Sequence, residues 1–153
     1  MTLVTERLEL RVHGESSLPT LIYLPGLHGD WTLIGSFRRA LGGRVRFVEA
    51  TYPRTLTWSL ADYAAAVEAE LLANDIQRGW LLGESFSSQV AWAMVGKTGA
   101  AETRFNSEGL ILANGFVRHP VIWGVGLAKS VCTDVSLTSL TRFLYLYAKY
   151  ARF

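Results

Sequence analysis

The feature that most limits the fold is a junction. Trp80-Leu81-Leu82 runs without a break into Gly83-Glu84-Ser85-Phe86-Ser87, and helical spacing through Val90, Met94 and Val95 starts at once. A strand that turns directly into a helix brings the two backbones almost into contact. Only small residues fit two positions before and two after such a turn, and Gly83 and Ser87 meet that condition. A strand feeding straight into a helix is half of a βαβ unit, which already argues for a parallel sheet.

The rest of the chain repeats this alternation. Leu8–Val12 alternates apolar and polar, as a half-exposed strand does. Leu21–Leu24 is a short continuous apolar run ending at Pro25-Gly26, the pattern of a buried parallel strand. Thr32–Leu41 reads as a short helix stopped by Gly42-Gly43, and Val45, Phe47 and Val48 as a third strand. From Ser59 to Asn74 the pattern is clearest: Leu60, Tyr63, Val67 and Leu71 share one helical face, and Ser59 with Asp62 resembles a capping box. Leu110-Ile111-Leu112 is predicted as another buried strand, closed by Asn114-Gly115. The class is therefore α/β, a mainly parallel sheet with helices on both faces. Strand signals cease after His119-Pro120, which divides the chain into a core over 1–119 and a helical, lid-like or oligomerisation segment over 120–153. In that segment Leu137, Leu140, Leu144 and Tyr147 form one apolar stripe, and Phe143, Leu146, Tyr150 and Phe153 a second.

A serine hydroxyl is a weak nucleophile that needs a base, an exposed position and stabilisation of the oxyanion. The sharp turn lifts Ser85 clear of the sheet, and the amide after it lies at the positive end of the new helix. Gly83-Glu84-Ser85-Phe86-Ser87 resembles the G-x-S-x-G nucleophile elbow of the α/β-hydrolases, with Ser87 in place of the last glycine. Upstream, LIYLPGLHGD resembles that family's oxyanion loop. The resemblance covers about Leu8 to His119 and implies an esterase- or lipase-like acyl hydrolase working without a cofactor. It also implies that the amides of Leu27 and Phe86 form the oxyanion hole. Gly26 and Gly29 allow the close backbone approach such a loop needs.

In the family the acid and the histidine follow the serine on later strands, and here those segments are missing. After Ser85 there is one histidine, His119, just past the strand at Leu110 and so the candidate base; as a bland alternative it is an ordinary turn residue beside Arg118 and Pro120. His28, in the oxyanion loop, could bind a substrate oxygen or act as an improvised base; equally, it could do no more than order its own loop with Asp30. His13 lies on the first strand, away from the site. Glu84 fits a local structural or substrate-side role better than that of a base.

Composition removes other classes. The 153 residues are 50% hydrophobic and 18% charged, so the chain can bury a core. No signal-peptide core opens it, and the longest apolar run, Val121–Ala128, is too short to span a bilayer. A single cysteine, Cys132, suits a reducing compartment, and the expected localisation is cytoplasmic. No metal-binding motif, Walker loop or nucleic-acid motif is present, so no cofactor, metal or nucleic-acid partner is expected. The net charge of +2 hides a basic tail: Arg118, Lys129, Arg142, Lys149 and Arg152 face only Asp134 over 118–153. This tail fits the cationic rim of a lid or subunit interface better than a nucleic-acid surface.

The expectation is a cytoplasmic serine hydrolase acting on short acyl esters through Ser85 with an incomplete or rebuilt triad. The alternative is a non-catalytic, truncated hydrolase module that binds a ligand or a completing partner chain. A sheet edge left open at Leu110 and a doubly apolar final helix predict a homo-oligomer, a dimer in the simplest case.

Overall fold

The computed structural model describes residues 7–55, 57–95 and 105–115. All of them belong to the first of the two units into which the chain divides, Met1–Arg118; the second is His119–Phe153. The expectations placed on His119 and on the lid-like segment therefore lie outside the described residues.

Five strands, β1 (Glu9–His13), β2 (Thr20–Leu24), β3 (Arg46–Thr51), β4 (Arg78–Glu84) and β5 (Asn106–Ala113), form one sheet in the order β1-β3-β2-β4-β5. Among the described residues only the β1–β3 pairing is antiparallel; β2–β3, β2–β4 and β4–β5 are parallel. Three helices alternate with them: α1 (Gly35–Ala40), α2 (Leu60–Ala73) and α3 (Ser87–Val95). The mainly parallel α/β reading holds. β2 is buried along its whole length, as its unbroken apolar run requires of a strand covered on both faces.

The two faces have separate cores. Ile22, Leu24, Val48, Ala50 and Leu81 pack with Ala64, Val67 and Leu71 of α2 and Val90 and Ala91 of α3. On the other face Leu21, Tyr23, Phe47 and Leu82 pack with Ile34 and Leu41, which flank α1. Helices thus cover both faces. α2 begins where its cap dictates: Ser59 Oγ accepts from the Asp62 amide at 3.3 Å, and the Asp62 carboxylate accepts from the Ser59 amide at 2.7 Å. α1 starts later than the spacing suggested, because Asp30 accepts from the Thr32 amide and hydroxyl and holds that stretch as a turn.

Glu49 lies fully buried on the α1 face, where its carboxylate meets Arg38 of α1 at 2.5 Å and His13 of β1 at 3.0 Å. The charge is tolerated there because two neighbouring elements supply donors, and the contact ties β1, β3 and α1 together. β5 departs from expectation. It was predicted as buried, yet Ile111 is 42% and Leu112 38% exposed. Apolar residues of an edge strand need cover on both faces and on the free edge, and among the described residues β5 borders only β4. No described helix is long and apolar enough to cross a membrane.

Candidate active site

β4 delivers Ser85 at the carboxyl edge of the sheet, and the turn into α3 is as tight as the sequence implied. A Cβ on Gly83 would lie 2.7 Å from the Ser87 carbonyl oxygen and 3.0 Å from the Ser88 Cα, both backbone atoms. Glycine is therefore required. Ser85 has φ +50°, the left-handed region that a residue with a side chain enters only at a cost of about 1–2 kcal/mol. Its amide donates to the Ala113 carbonyl at 2.9 Å, and its carbonyl accepts the Ser88 amide at 3.1 Å. The strained residue is thus pinned between β5 and the first turn of α3. Strain retained in this way at a half-buried serine is characteristic of functional sites.

Ser87 is more than a small stand-in for glycine. It is fully buried, and its Oγ donates to the Pro25 carbonyl; the Tyr52 hydroxyl therefore donates to Ser87 Oγ, at 2.7 Å. Burial pushes the Tyr52 phenol well above its ordinary value, against a smaller opposing effect of the Ser87 bond, so it stays a donor. One hydroxyl thus ties the elbow to the loop after β2 and to the end of β3.

That loop turns at Gly26–Gly29, closed by the Gly29 amide on the Gly26 carbonyl at 3.0 Å. Leu27 and His28 occupy its outer positions; the Leu27 side chain is 87% exposed. No described residue accepts a hydrogen bond from the Leu27 or Phe86 amide, whereas the Gly29, Ser85, Ser88 and Gln89 amides are all engaged. Among the described residues these two amides, one on each segment beside the serine, have no acceptor.

A Cβ on Gly26 would lie 3.3 Å from His28 Nδ1 and 3.6 Å from the Ser85 Cβ. A side chain at Gly26 would thus touch both the imidazole and the serine. His28 Nε2 lies 3.4 Å from the Tyr23 hydroxyl, which donates to the Glu84 carboxylate. Burial first, then the hydrogen bond and charge of Glu84, push the Tyr23 phenol far above its ordinary value. Asp30 does not hydrogen-bond His28. It bonds Thr32, which lowers its carboxyl below the usual range, with a lesser contribution from the charges of His28 and Arg54. Tyr23 is the site residue that sequence reasoning missed. Inside the run Leu21–Leu24 it reads as core, and no local signal marks its hydroxyl. His13, on the Glu49 cluster, takes no part.

Beside the serine opens a cavity of about 980 Å³, lined by the Gly26–Thr32 loop, by Tyr52, Arg54 and Trp58, and by Tyr63 and Phe86. Its aromatic wall is close-packed: Tyr52–Tyr63, Trp58–Tyr63 and Tyr63–Phe86 centroids lie 5.0, 5.1 and 5.4 Å apart, all edge to face. Ser85 itself does not line it, but its neighbours Gly26 and Phe86 do. Among the described residues no group of three or more His, Cys, Asp or Glu could hold a metal ion.

No protein-family model and no curated protein matches the chain. Solved structures do. A hydrolase from Pseudomonas aeruginosa superposes with TM-score 0.64 at 20% identity, covering 95% of this chain and 58% of its own. An α/β-hydrolase family protein from Desulfitobacterium hafniense gives 0.56 at 20% identity, covering 71% and 44%. The fold is that of the α/β-hydrolases. An esterase from Rhodococcus sp. ECU1013 shares this hydrolase fold, with TM-score 0.56 at 22% identity and coverage of 72% and 42%. The chain spans about half the length of these hydrolase-fold neighbours.

Proposed function

We propose that the chain is a serine hydrolase that cleaves short acyl esters. The observation that carries this reading is the placement of Ser85: a residue in a left-handed conformation at a strand-to-helix turn, beside two amides that have no acceptor among the described residues. Ser85 Oγ attacks the ester carbonyl, and the Leu27 and Phe86 amides receive the developing oxyanion. The proton leaving Ser85 passes to a histidine, for which His119 is the sequence-based candidate. The acyl or alcohol part lies against Tyr63, Phe86 and Trp58 in the aromatic cavity, with His28 at its mouth. No cofactor enters this chemistry.

The test is hydrolysis of p-nitrophenyl acetate by the purified chain beside Ser85→Ala. Activity that falls to background in the variant supports the reading; equal rates for both proteins refute it. The second reading, a module awaiting a completing chain, is favoured by one fact, that the chain covers only 42–58% of those neighbours. Activity of the chain alone rules that module out.

A further inference from the structure

The hydrogen-bond order around Tyr23 determines which face of the His28 imidazole can accept a proton. A carboxylate only accepts, so the single phenolic proton of Tyr23 is committed to Glu84. The Tyr23 oxygen can then only accept from His28, whose Nε2 must carry the hydrogen. Nδ1 is left with its lone pair, and Nδ1 is the ring nitrogen on the Gly26 side, 3.3 Å from the point where a Gly26 Cβ would stand, which is itself 3.6 Å from the Ser85 Cβ. Tyr23 is 1% exposed and stacked on Phe47, so the anchor itself is rigid.

We infer that His28 is the base for the hydrolytic water at Ser85, with Tyr23 and Glu84 as positioning residues that hold its imidazole in the Nε2–H tautomer. The inference rests on the serine-hydrolase reading above. No hydrogen bond joins His28 to Ser85, His28 is exposed, and Gly26 puts no side chain beside them, so water reaches the imidazole. In the acyl-enzyme, a water there gives one proton to Nδ1 as its oxygen bonds to the acyl carbon. The bond from that carbon to Ser85 Oγ then breaks, and the imidazolium returns its proton to Oγ, releasing the acid and the free serine. The imidazolium is met by negative charge from both sides: Asp30 in the same loop, and Glu84 through Tyr23. Arg54, which also faces Asp30, is the opposing cation.

The experiment is pre-steady-state hydrolysis of p-nitrophenyl acetate by the full chain, with His28→Gln and Tyr23→Phe. His28→Gln is expected to keep the burst of p-nitrophenol and slow the turnover after it about 10²-fold or more, leaving Ser85 acetylated by intact mass. Hydroxylamine, which needs no base, should restore turnover in that variant; a merely disordered loop would instead lose the burst. Tyr23→Phe should slow deacylation roughly tenfold or more, as expected for an imidazole left in the wrong tautomer. ¹⁵N spectra of the wild type should show His28 as the Nε2–H tautomer. An Nδ1–H tautomer overturns the inference whatever the activity. Turnover unchanged in His28→Gln overturns it too, as does loss of the burst together with turnover, which would place His28 in acylation. Absence of any Ser85-dependent burst in the wild type instead overturns the hydrolase reading on which it rests, and the inference with it.

Discussion

Replacing Ser87 with Ala tests the elbow through its least replaceable atom. The Ser87 hydroxyl is the acceptor for Tyr52 and the donor to the Pro25 carbonyl, and all three residues are buried. Ala fits the space, so no cavity or clash confuses the result, but two polar groups lose their partner in a region closed to water. Each such group costs about 1–3 kcal/mol, and partial relaxation brings the expected loss to roughly 2–4 kcal/mol. Tyr52→Phe leaves Ser87 still donating to Pro25 and should cost only about 1 kcal/mol. In the double variant the Tyr52 hydroxyl is no longer stranded, so the total should fall short of the sum by about 1 kcal/mol. Urea unfolding of the four proteins measures this, provided the slope with denaturant stays constant. A loss below about 0.5 kcal/mol for Ser87→Ala, or strict additivity, would refute the claim that this hydroxyl locks the loop to the elbow. On the serine-hydrolase reading, ester turnover should also fall in Ser87→Ala beyond any loss of folded protein, because the lock ties the Pro25 end of the Leu27 loop to the elbow.

Gly83→Ala drives a methyl into the Ser87 carbonyl and should destabilise the chain by about 1–3 kcal/mol, read from thermal unfolding, and, on the serine-hydrolase reading, abolish ester turnover. Ser85→Gly relieves the left-handed strain; stability should rise by up to about 1 kcal/mol while activity disappears, and unchanged or lowered stability would argue that the strain is absent. The Ser59 hydrogen bonds lower the Asp62 carboxyl in the folded state, so its contribution is present above the ordinary carboxylate range and lost as pH falls through its depressed value. Melting temperature should therefore drop over that acid window more steeply in the wild type than in Asp62→Asn.

What could be read from the chain alone follows the range of the forces involved. The capping box at Ser59 and Asp62 spans three residues, and the elbow five, so both are local patterns with local causes. The Tyr23–Glu84 contact joins residues on β2 and β4, and no periodicity announces it: a tyrosine in an apolar run looks the same whether its hydroxyl is idle or holds a site together. Glu49 is the same problem in reverse, a charge within Phe47-Val48-Glu49-Ala50 that reads as surface until Arg38 and His13 arrive from other elements. Leu110-Ile111-Leu112 has the composition of a buried strand, but burial depends on what lies beside it. Ser87 was recognised as small enough, while its hydrogen bonds were invisible because Tyr52 and Pro25 come from distant loops.

The position of β2 has a consequence for the order in which the molecule assembles. Its pairing with β3 closes over the short stretch that holds α1, whereas its pairing with β4 waits for all of α2 as well. The longer closure carries the greater entropic cost and is the slower event. Until β4 docks, one edge of a strand made of Leu21, Ile22, Tyr23 and Leu24 stands open, and the turn bearing Ser85 has nothing to be strained against. The chain thus acquires the strained turn at Ser85 late, and the interval before that is when it is most exposed to pairing with the wrong strand.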